Sequence, residues 1–313
     1  MKAPELTPQI AHVLQSIRRA NGPPFHALTV PDAQEAYTVA SGVLERPRAP
    51  LARVEDFHMP MLDGVSLPAR LYAASGSNLP VVLYLHGGGF TIGNLCTHDS
   101  LCRQIALRSG AAVVAIEYRL APEHRFPMAV SDSWASLRWL AHEGAKRLRL
   151  DASRLAVAGD SSGGTLAAVC AILAEQAGRV LRHQVLITPG TAPHAGSNSH
   201  RQFASGYLLE AAGIDWFFNH YIDKAVRADR RFAPLNAPSL EDLAPACAIL
   251  AGCIRLADEG LAYADRLRLA GVPAQLEFHR GLTHDFIKMG PDIPEAISAQ
   301  VVIASALSEA FRS

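Results

Sequence analysis

Ser161 lies in a pattern of residue types that can turn its hydroxyl into a nucleophile. It is part of Gly159-Asp160-Ser161-Ser162-Gly163-Gly164, which follows an apolar run of strand character and precedes an Ala/Leu-rich run that suits a buried helix. A tight strand-to-helix turn lifts the serine clear of the sheet, and the glycines on either side let the backbone turn without Cβ clashes. The amide of Ser162 would then lie at a helix N-terminus, where negative charge is stabilised. We therefore predict Ser161 as a nucleophile.

A glycine-rich loop could stabilise the charge that such a nucleophile creates. His86-Gly87-Gly88-Gly89-Phe90 directly follows the apolar run Val81–Leu85. Each glycine destabilises the fold, because it loses much conformational entropy on folding. A run of three therefore indicates that the backbone of this loop must approach another group closely. Amides free of side chains can stabilise an oxyanion by about 3–4 kcal/mol per donor. Phosphate binding is disfavoured, because neither Gly-x-Gly-x-x-Gly nor Gly-Lys-Ser/Thr occurs.

Continuous apolar runs alternate with helical stretches over most of the chain, as a parallel sheet covered on both faces requires. The runs are Val81–Leu85, Ala111–Tyr118, Leu155–Ala158, Gln184–Thr188, Cys247–Gly252 and Ala274–Phe278, and the intervening helices are expected near 97–109, 128–143, 163–178, 258–270 and 293–311. A hairpin of Val54–Met59 and Val65–Tyr72 turns at Asp63-Gly64. The pattern predicts a doubly wound α/β domain with this hairpin at its edge.

Two regions fall outside this alternation. Residues 1–50 are predicted to form N-terminal cap helices, near 7–22 and 32–44, which either cover a site or simply pack on the body. The catalytic domain would be residues 51–313, with a cap insertion at about 190–230. Within the insertion, Ser205–Tyr221 is predicted as an aromatic-rich helix that either lines an apolar pocket or packs in the core.

Composition excludes several classes of function. The chain has 313 residues, 49% hydrophobic, with 29 basic and 29 acidic residues, so neither nucleic-acid nor electrostatic membrane binding is favoured. No apolar run reaches the length of a membrane span, and the N-terminus does not resemble a signal peptide, so a cytoplasmic protein is expected. The five cysteines form no Cys-x-x-Cys pair and are expected as buried free thiols. Neither a metal site nor a cofactor is predicted.

With these motifs in this order, the chain resembles the hormone-sensitive-lipase family of α/β-hydrolase carboxylesterases. The resemblance covers nearly the whole chain and rests on the glycine-rich loop, the serine turn and four further stretches: Glu117–Pro127, Ser205–Leu209, Asp258-Glu259-Gly260 and Gly281–Phe286. It implies a mostly parallel twisted sheet with helices on both faces and a helical cap. It also implies a small-molecule ester substrate.

Site residues are carried over from the family position by position. Ser161 corresponds to the nucleophile and His284 to the general base, while the amides of Gly88, Gly89 and Ser162 correspond to the oxyanion hole. Asp160 would orient the serine turn. The substrate pocket is expected to include Phe90, Tyr207 and Thr188. Members of the family usually have tyrosine at the position of Thr188.

One departure from the family pattern concerns the catalytic acid. The family acid is the first Asp of Asp-Pro-x-x-Asp-Glu-Gly, and counting back from Asp258 places Ile254 at that position. Isoleucine can neither accept a hydrogen bond from imidazole nor stabilise imidazolium, and loss of the acid's charge can cost roughly four orders of magnitude in turnover. Asp258 and Asp285 are candidate substitute acids. Ile254 is also consistent with an impaired or engineered variant in which hydrolysis is suppressed or redirected.

Two functions remain open from the sequence. The first is a serine carboxylesterase or lipase-like hydrolase that acts on short- to medium-chain esters through an acyl-enzyme, with no cofactor. The alternative is a non-catalytic small-molecule binder on an esterase scaffold. The family resemblance also implies a homodimer that pairs through the edge strand near Ala274–Phe278.

Overall fold

An eight-stranded sheet forms the centre of the molecule in the computed structural model, which describes residues 5–193, 196–290 and 293–312. Residues 1–4 of the predicted cap region and 194–195 of the predicted insertion lie outside the described residues. The strands are β1 (Arg53–Pro60), β2 (Ser66–Ala73), β3 (Leu79–Leu85), β4 (Ala112–Ile116), β5 (Leu150–Asp160), β6 (His183–Ile187), β7 (Ala246–Ala251) and β8 (Ala274–His279).

The strand order β1-β2-β4-β3-β5-β6-β7-β8 is that of an α/β-hydrolase sheet. Strand β2 pairs antiparallel with both β1 and β4, and all later neighbours pair in parallel. The prediction of a mostly parallel sheet with a hairpin at its edge is therefore confirmed.

Helices surround this sheet. They are α1 (Pro8–Ala20), α2 (Val30–Leu44), α3 (Asp99–Ser109), α4 (Met128–Trp139), α5 (Ala145–Arg147), α6 (Ser162–Gln176), α7 (Asn198–Gln202), α8 (Ala211–Tyr221), α9 (Ala257–Leu269) and α10 (Pro294–Ala310). A π-helical segment, Leu140–Gly144, joins α4 to α5. Threonine N-caps fix where the first two helices begin. The side chains of Thr7 and Thr29 accept hydrogen bonds from backbone amides in the first turns of α1 and α2.

Strand β3 shows how the sheet separates two apolar layers. All its residues from Val81 to Leu85 are fully buried. Val81, Leu83 and Leu85 belong to one apolar cluster, whereas Val82 and Tyr84 belong to another. Because successive side chains of a strand point to opposite faces, each layer of helices packs on one of these clusters.

Several elements differ from their predicted boundaries by a few residues. Strand β4 ends at Ile116 rather than Tyr118, and β5 begins at Leu150, ahead of the predicted Leu155. The predicted helix from Ser205 was wrong at its start, since α8 begins only at Ala211. Gly206 has a φ of +85°, and its amide donates to the side chain of Glu210 at 2.6 Å, so the preceding segment forms a turn.

A buried ion pair attaches α4 to the segment that follows β4. Arg119 donates through Nε and Nη2 to Asp132 at 3.0 and 2.6 Å, and its backbone amide donates to the same carboxylate at 2.9 Å. The Asp132 side chain is 1% exposed. The same guanidinium also donates to the exposed carboxylate of Asp63 at 2.7 Å.

We expect Asp132→Ala to lower the free energy of unfolding by about 3 kcal/mol or more, because it leaves the Arg119 charge partly buried beside a vacated site. Urea unfolding followed by circular dichroism measures the change. Asp63→Ala is the matched control, since it removes the exposed partner of the same arginine and should change stability little. Equal destabilisation by both variants would show that the burial of Asp132 does not increase the contribution of its ion pair to the free energy of unfolding.

Candidate functional site

Ser161 occupies a strained turn between β5 and α6. Its backbone has φ 53° and ψ −121°, and its amide donates to the carbonyl of Ile187 at 2.8 Å. A Cβ on Gly163 would clash with the carbonyl oxygen of Leu85, and one on Gly159 would clash with the backbone of Gly163. The glycines are thus required by close backbone contacts on both sides of Ser161.

His284 reaches Ser161 from the loop that follows β8. Its Nε2 lies 2.9 Å from Ser161 Oγ, although 123 residues separate the two in sequence. The ring is 6% exposed. Burial lowers the pKa of His284, and the nearby Asp285 carboxylate opposes this only in part. The imidazole is therefore neutral at pH 7 and can accept a proton.

The glycine-rich loop presents backbone amides beside Ser161. Gly88 has φ 122°, and a Cβ there would clash with the carbonyl of Ile92. Gly89 has φ 59°, and a Cβ there would clash with the Phe217 ring. Within the described ranges, no acceptor is hydrogen-bonded to the amides of Gly88, Gly89 or Ser162. Free amides of this kind can receive the oxygen of a bound ester.

Asp160 connects the glycine-rich loop to the serine turn. Its carboxylate accepts from the Gly87 amide at 3.1 Å and from the Tyr84 hydroxyl at 2.7 Å, and lies 3.1 Å from Nε2 of His98. Burial raises the pKa of Asp160, but His98 and the Tyr84 hydrogen bond are among the interactions that lower it, and the result is below the usual value. Asp160 is therefore an anion that holds both loops.

Among the described residues, Nδ1 of His284 has no acceptor, and Ile254 lies on the segment next to the one that leads to His284. Cys253 donates to the carbonyl of Leu282 at 2.9 Å, which places residues 253–254 alongside the segment that leads to His284. Ile254 is 1% exposed and belongs to an apolar cluster with Leu282. Nδ1 of His284 is buried and, among the described residues, has no hydrogen-bond partner.

This environment favours the unproductive tautomer of His284. A buried Nδ1 without a partner costs about 1–3 kcal/mol in either tautomer, but the Asp285 carboxylate 3.8 Å from Nε2 favours the tautomer with its proton on Nε2. In that tautomer Nε2 donates to Ser161 Oγ instead of accepting from it.

The two candidate substitute acids lie in different environments. Asp258, at the start of α9, accepts from the Ser199 amide at 2.9 Å. Asp285 lies closer to the imidazole, with Oδ1 3.8 Å from Nε2 of His284. Asp285 therefore approaches the nitrogen that faces Ser161, not the Nδ1 position of a triad acid.

A buried cluster that the sequence analysis missed holds Asp285 in place. The Tyr37 hydroxyl, from α2, donates to Asp285 Oδ2 at 3.1 Å, and Lys288 Nζ lies 3.4 Å from the same oxygen and also donates to Tyr37. Burial lowers the pKa of Lys288, but Asp285 and other neighbouring groups raise it above its usual value. The i,i+3 spacing of Asp285 and Lys288 was the only signal in the sequence.

An apolar cleft opens onto Ser161 and His284. Phe90 lines it, together with Leu208, Leu209, Phe217 and Phe218 from the insertion and Phe25 and Tyr37 from the N-terminal region. Tyr207 and Thr188 are not among its lining residues, contrary to the sequence prediction. Tyr207 packs edge-on against Phe203 at 4.9 Å, and Thr188 is buried where its amide donates to Ile249 at 2.8 Å.

The described residues form neither a metal site nor a membrane-spanning helix. In the part of the chain that the structure describes, no three His, Cys, Asp or Glu side chains are arranged to hold a metal ion. None of the described helices has the length and apolar character needed to cross a bilayer.

Comparison with known proteins gives consistent results. A family model described as alpha/beta hydrolase fold matches residues 82–288. Ethyl acetate hydrolase of Pseudomonas putida is 40% identical over 97% of this chain and 99% of its own. Esterase LipI of Mycobacterium tuberculosis is 36% identical over 95% of this chain and 92% of its own.

Solved structures of esterases superpose closely on this fold. The hyperthermophilic esterase of Pyrobaculum calidifontis has a TM-score of 0.91 at 35% identity, covering 97% of this chain and 98% of its own. An ester hydrolase from the metagenome of Lake Arreo, complexed with a derivative of bipyridine phosphonate, has a TM-score of 0.94 at 34% identity over 98% of this chain and 100% of its own. The chain belongs to the α/β-hydrolase family and, within it, to the carboxylesterases related to hormone-sensitive lipase.

Proposed function

We propose that this protein hydrolyses short- to medium-chain carboxylic esters through an acyl-enzyme on Ser161. The observation that supports this most directly is the 2.9 Å contact between His284 Nε2 and Ser161 Oγ, beside the free amides of Gly88, Gly89 and Ser162. These are the parts that acyl transfer needs: a nucleophile, a base and donors for the oxyanion.

The reaction proceeds in two halves. Ser161 Oγ attacks the ester carbonyl as His284 Nε2 takes its proton, and the amides receive the oxyanion. His284 then returns the proton to the departing alcohol, which leaves an acyl-enzyme. Water attacks this intermediate with the same base, and the acid is released.

The cleft indicates that the substrate groups bound next to Ser161 are uncharged. Its walls there are apolar side chains such as Phe90, Phe217 and Leu209. The names of the relatives, ethyl acetate hydrolase and esterase, support the same substrate class.

In place of a triad acid we propose that Asp285 assists His284 by charge. A carboxylate 3.8 Å from Nε2 stabilises the imidazolium that forms when Ser161 loses its proton. It does not hydrogen-bond Nδ1, so it cannot restore the productive tautomer. We therefore expect a slow esterase whose limiting defect is the acid position.

The unpartnered Nδ1 of His284 also favours the second candidate, a non-catalytic binder of small apolar molecules in the same cleft. A homodimer that pairs through β8 and a cytoplasmic location stay predictions.

Reaction with a fluorophosphonate distinguishes the two candidates. If the protein is an esterase, the fluorophosphonate should label Ser161 and the protein should hydrolyse p-nitrophenyl butyrate, because both reactions need an activated hydroxyl. Neither reaction should occur in Ser161→Ala. Mass spectrometry locates the adduct. No labelling of Ser161 above the rate of an ordinary serine hydroxyl would favour the binder and contradict the esterase.

Replacing Ile254 tests the acid position. Ile254→Asp should raise kcat for p-nitrophenyl butyrate by at least ten-fold, and by up to roughly four orders of magnitude, because a carboxylate there can accept from Nδ1. Steady-state kinetics measure the gain. Ile254→Asn is the matched control, since it has the same shape without the charge and should gain far less. Equal, Ser161-dependent rates in the wild type and Ile254→Asp would show that another group already orients His284.

The pH dependence of hydrolysis tests Asp285. The Asp285 charge raises the pKa of His284, so Asp285→Asn should move the acidic limb of the kcat/KM profile to lower pH. It should also lower the plateau about ten-fold, because imidazolium is less stabilised and the base is weaker. Asp258→Asn is the matched control and should leave the limb in place. A shift in Asp258→Asn but not in Asp285→Asn would reverse the assignment.

A further inference from the structure

A second cavity adjoins the active-site cleft, and we call it the side chamber. Ala192, Ile214, Phe218 and Leu256 line both cavities, so these apolar side chains form their common wall. The remaining lining differs in character from the cleft, because it includes four polar or charged side chains: His200, Asp215, Arg227 and Glu259.

Arg227 is the polar group of the side chamber whose bonding is incomplete. It is 7% exposed, and its Nε has no hydrogen-bond partner among the described residues. Its Nη2 donates to Asn219 at 2.9 Å, and its guanidinium lies 5.3 Å from the centre of the Phe218 ring. Burial lowers the pKa of Arg227, and the charge of Asp215 opposes this only in part.

The carboxylates of the side chamber do not neutralise this charge by direct contact. Glu259 accepts from the Thr191 amide at 2.7 Å and lies 3.3 Å from Nε2 of His200, so both of its oxygens are engaged elsewhere. Asp215 is exposed, at the opening of the chamber. Over residues 5–193, 196–290 and 293–312, no carboxylate lies within ion-pair distance of Arg227.

A second buried guanidinium increases the positive charge nearby. Arg255 is 6% exposed, donates to the carbonyl of His200 and, in the described part of the chain, has no partner for its Nε. Buried charges are ordinarily paired, and a buried arginine with unused donors is suited to a carboxylate. The side chamber therefore has the chemistry of a carboxylate site beside an apolar cleft.

We propose that the side chamber binds a carboxylate at the far end of the acyl chain, so that half-esters of dicarboxylic acids are preferred substrates. This rests on the proposed function, in which Ser161 attacks the ester carbonyl. The methylene spacer would lie along the common apolar wall, and Arg227 would receive the terminal carboxylate through Nε. Arg227 is then a specificity-determining residue.

Kinetics on matched ester pairs test this. For each chain length from monomethyl succinate to monomethyl sebacate, kcat/KM is divided by that of the methyl ester of the monoacid with an equally long chain. At the best length the ratio should be about ten- to hundred-fold, expressed mainly in KM, because a charged hydrogen bond is gained in binding. Arg227→Met should bring the ratio near one.

Two further variants sharpen the result. Arg231→Met is the matched control, because Arg231 also stacks on a ring, Phe126, but pairs with Asp229 and lies outside the side chamber's lining. It should keep the wild-type ratio. Asp215→Asn should raise the ratio, since it removes a negative charge from the opening. A ratio near one at every length in the wild type, or an unchanged ratio in Arg227→Met, would overturn the proposal.

A binding measurement separates this proposal from the esterase proposal. Monomethyl adipate and monomethyl suberate are titrated calorimetrically into Ser161→Ala and into Ser161→Ala/Arg227→Met. Saturable binding to the first protein that is lost in the second supports the carboxylate site even if no ester is hydrolysed by the wild type. Equal binding, or none, at either length contradicts it.

Discussion

The buried carboxylate of Asp160 is the interaction on which the geometry of the site depends. It lies one residue before Ser161 and binds the Gly87 amide, the Tyr84 hydroxyl and His98, which come from the loop after β3, from β3 itself and from the turn before α3. A buried anion would be costly without these donors. A Cβ on Gly87 would clash with the Asp160 carboxylate, so the close approach itself requires glycine. The free amides of Gly88 and Gly89 are thereby set at a constant distance from the serine turn.

Hydrogen bonding is complete around the nucleophile and incomplete around the base. Ser161 has its strained backbone held by Ile187 and its hydroxyl by His284, whereas Nδ1 of His284 is buried and has no hydrogen-bond partner among the described residues. In the proposed mechanism, the tautomer of the base therefore limits turnover, because no residue in the described part of the chain accepts a hydrogen bond from Nδ1.

Local patterns predicted much of this structure, and long-range contacts account for what they missed. The turn around Ser161 and the glycine-rich loop were predictable because each needs glycines at adjacent positions, and the sheet was predictable because buried parallel strands are apolar throughout. The lining of the pocket was not predictable in this way. Tyr207 and Leu208 are neighbours in sequence and follow the turn at Gly206, but only Leu208 lines the cleft. Tyr37 and Asp285 are 248 residues apart, so no local pattern could pair them.

The two buried charge clusters beside the cleft differ in one physical respect. Around Asp285, the carboxylate, the Lys288 ammonium and the Tyr37 hydroxyl satisfy one another, so that cluster needs nothing from outside the protein. Around Arg227, the carboxylate of Glu259 is used by His200 and a backbone amide, and the guanidinium keeps an unused donor next to open volume. Desolvation is costly in both places, but only in the second does a buried donor, Nε of Arg227, keep no hydrogen-bond partner among the described residues. A ligand carboxylate would supply that partner, which is why we propose substrate recognition for the second cluster, whereas the first holds Asp285 beside His284.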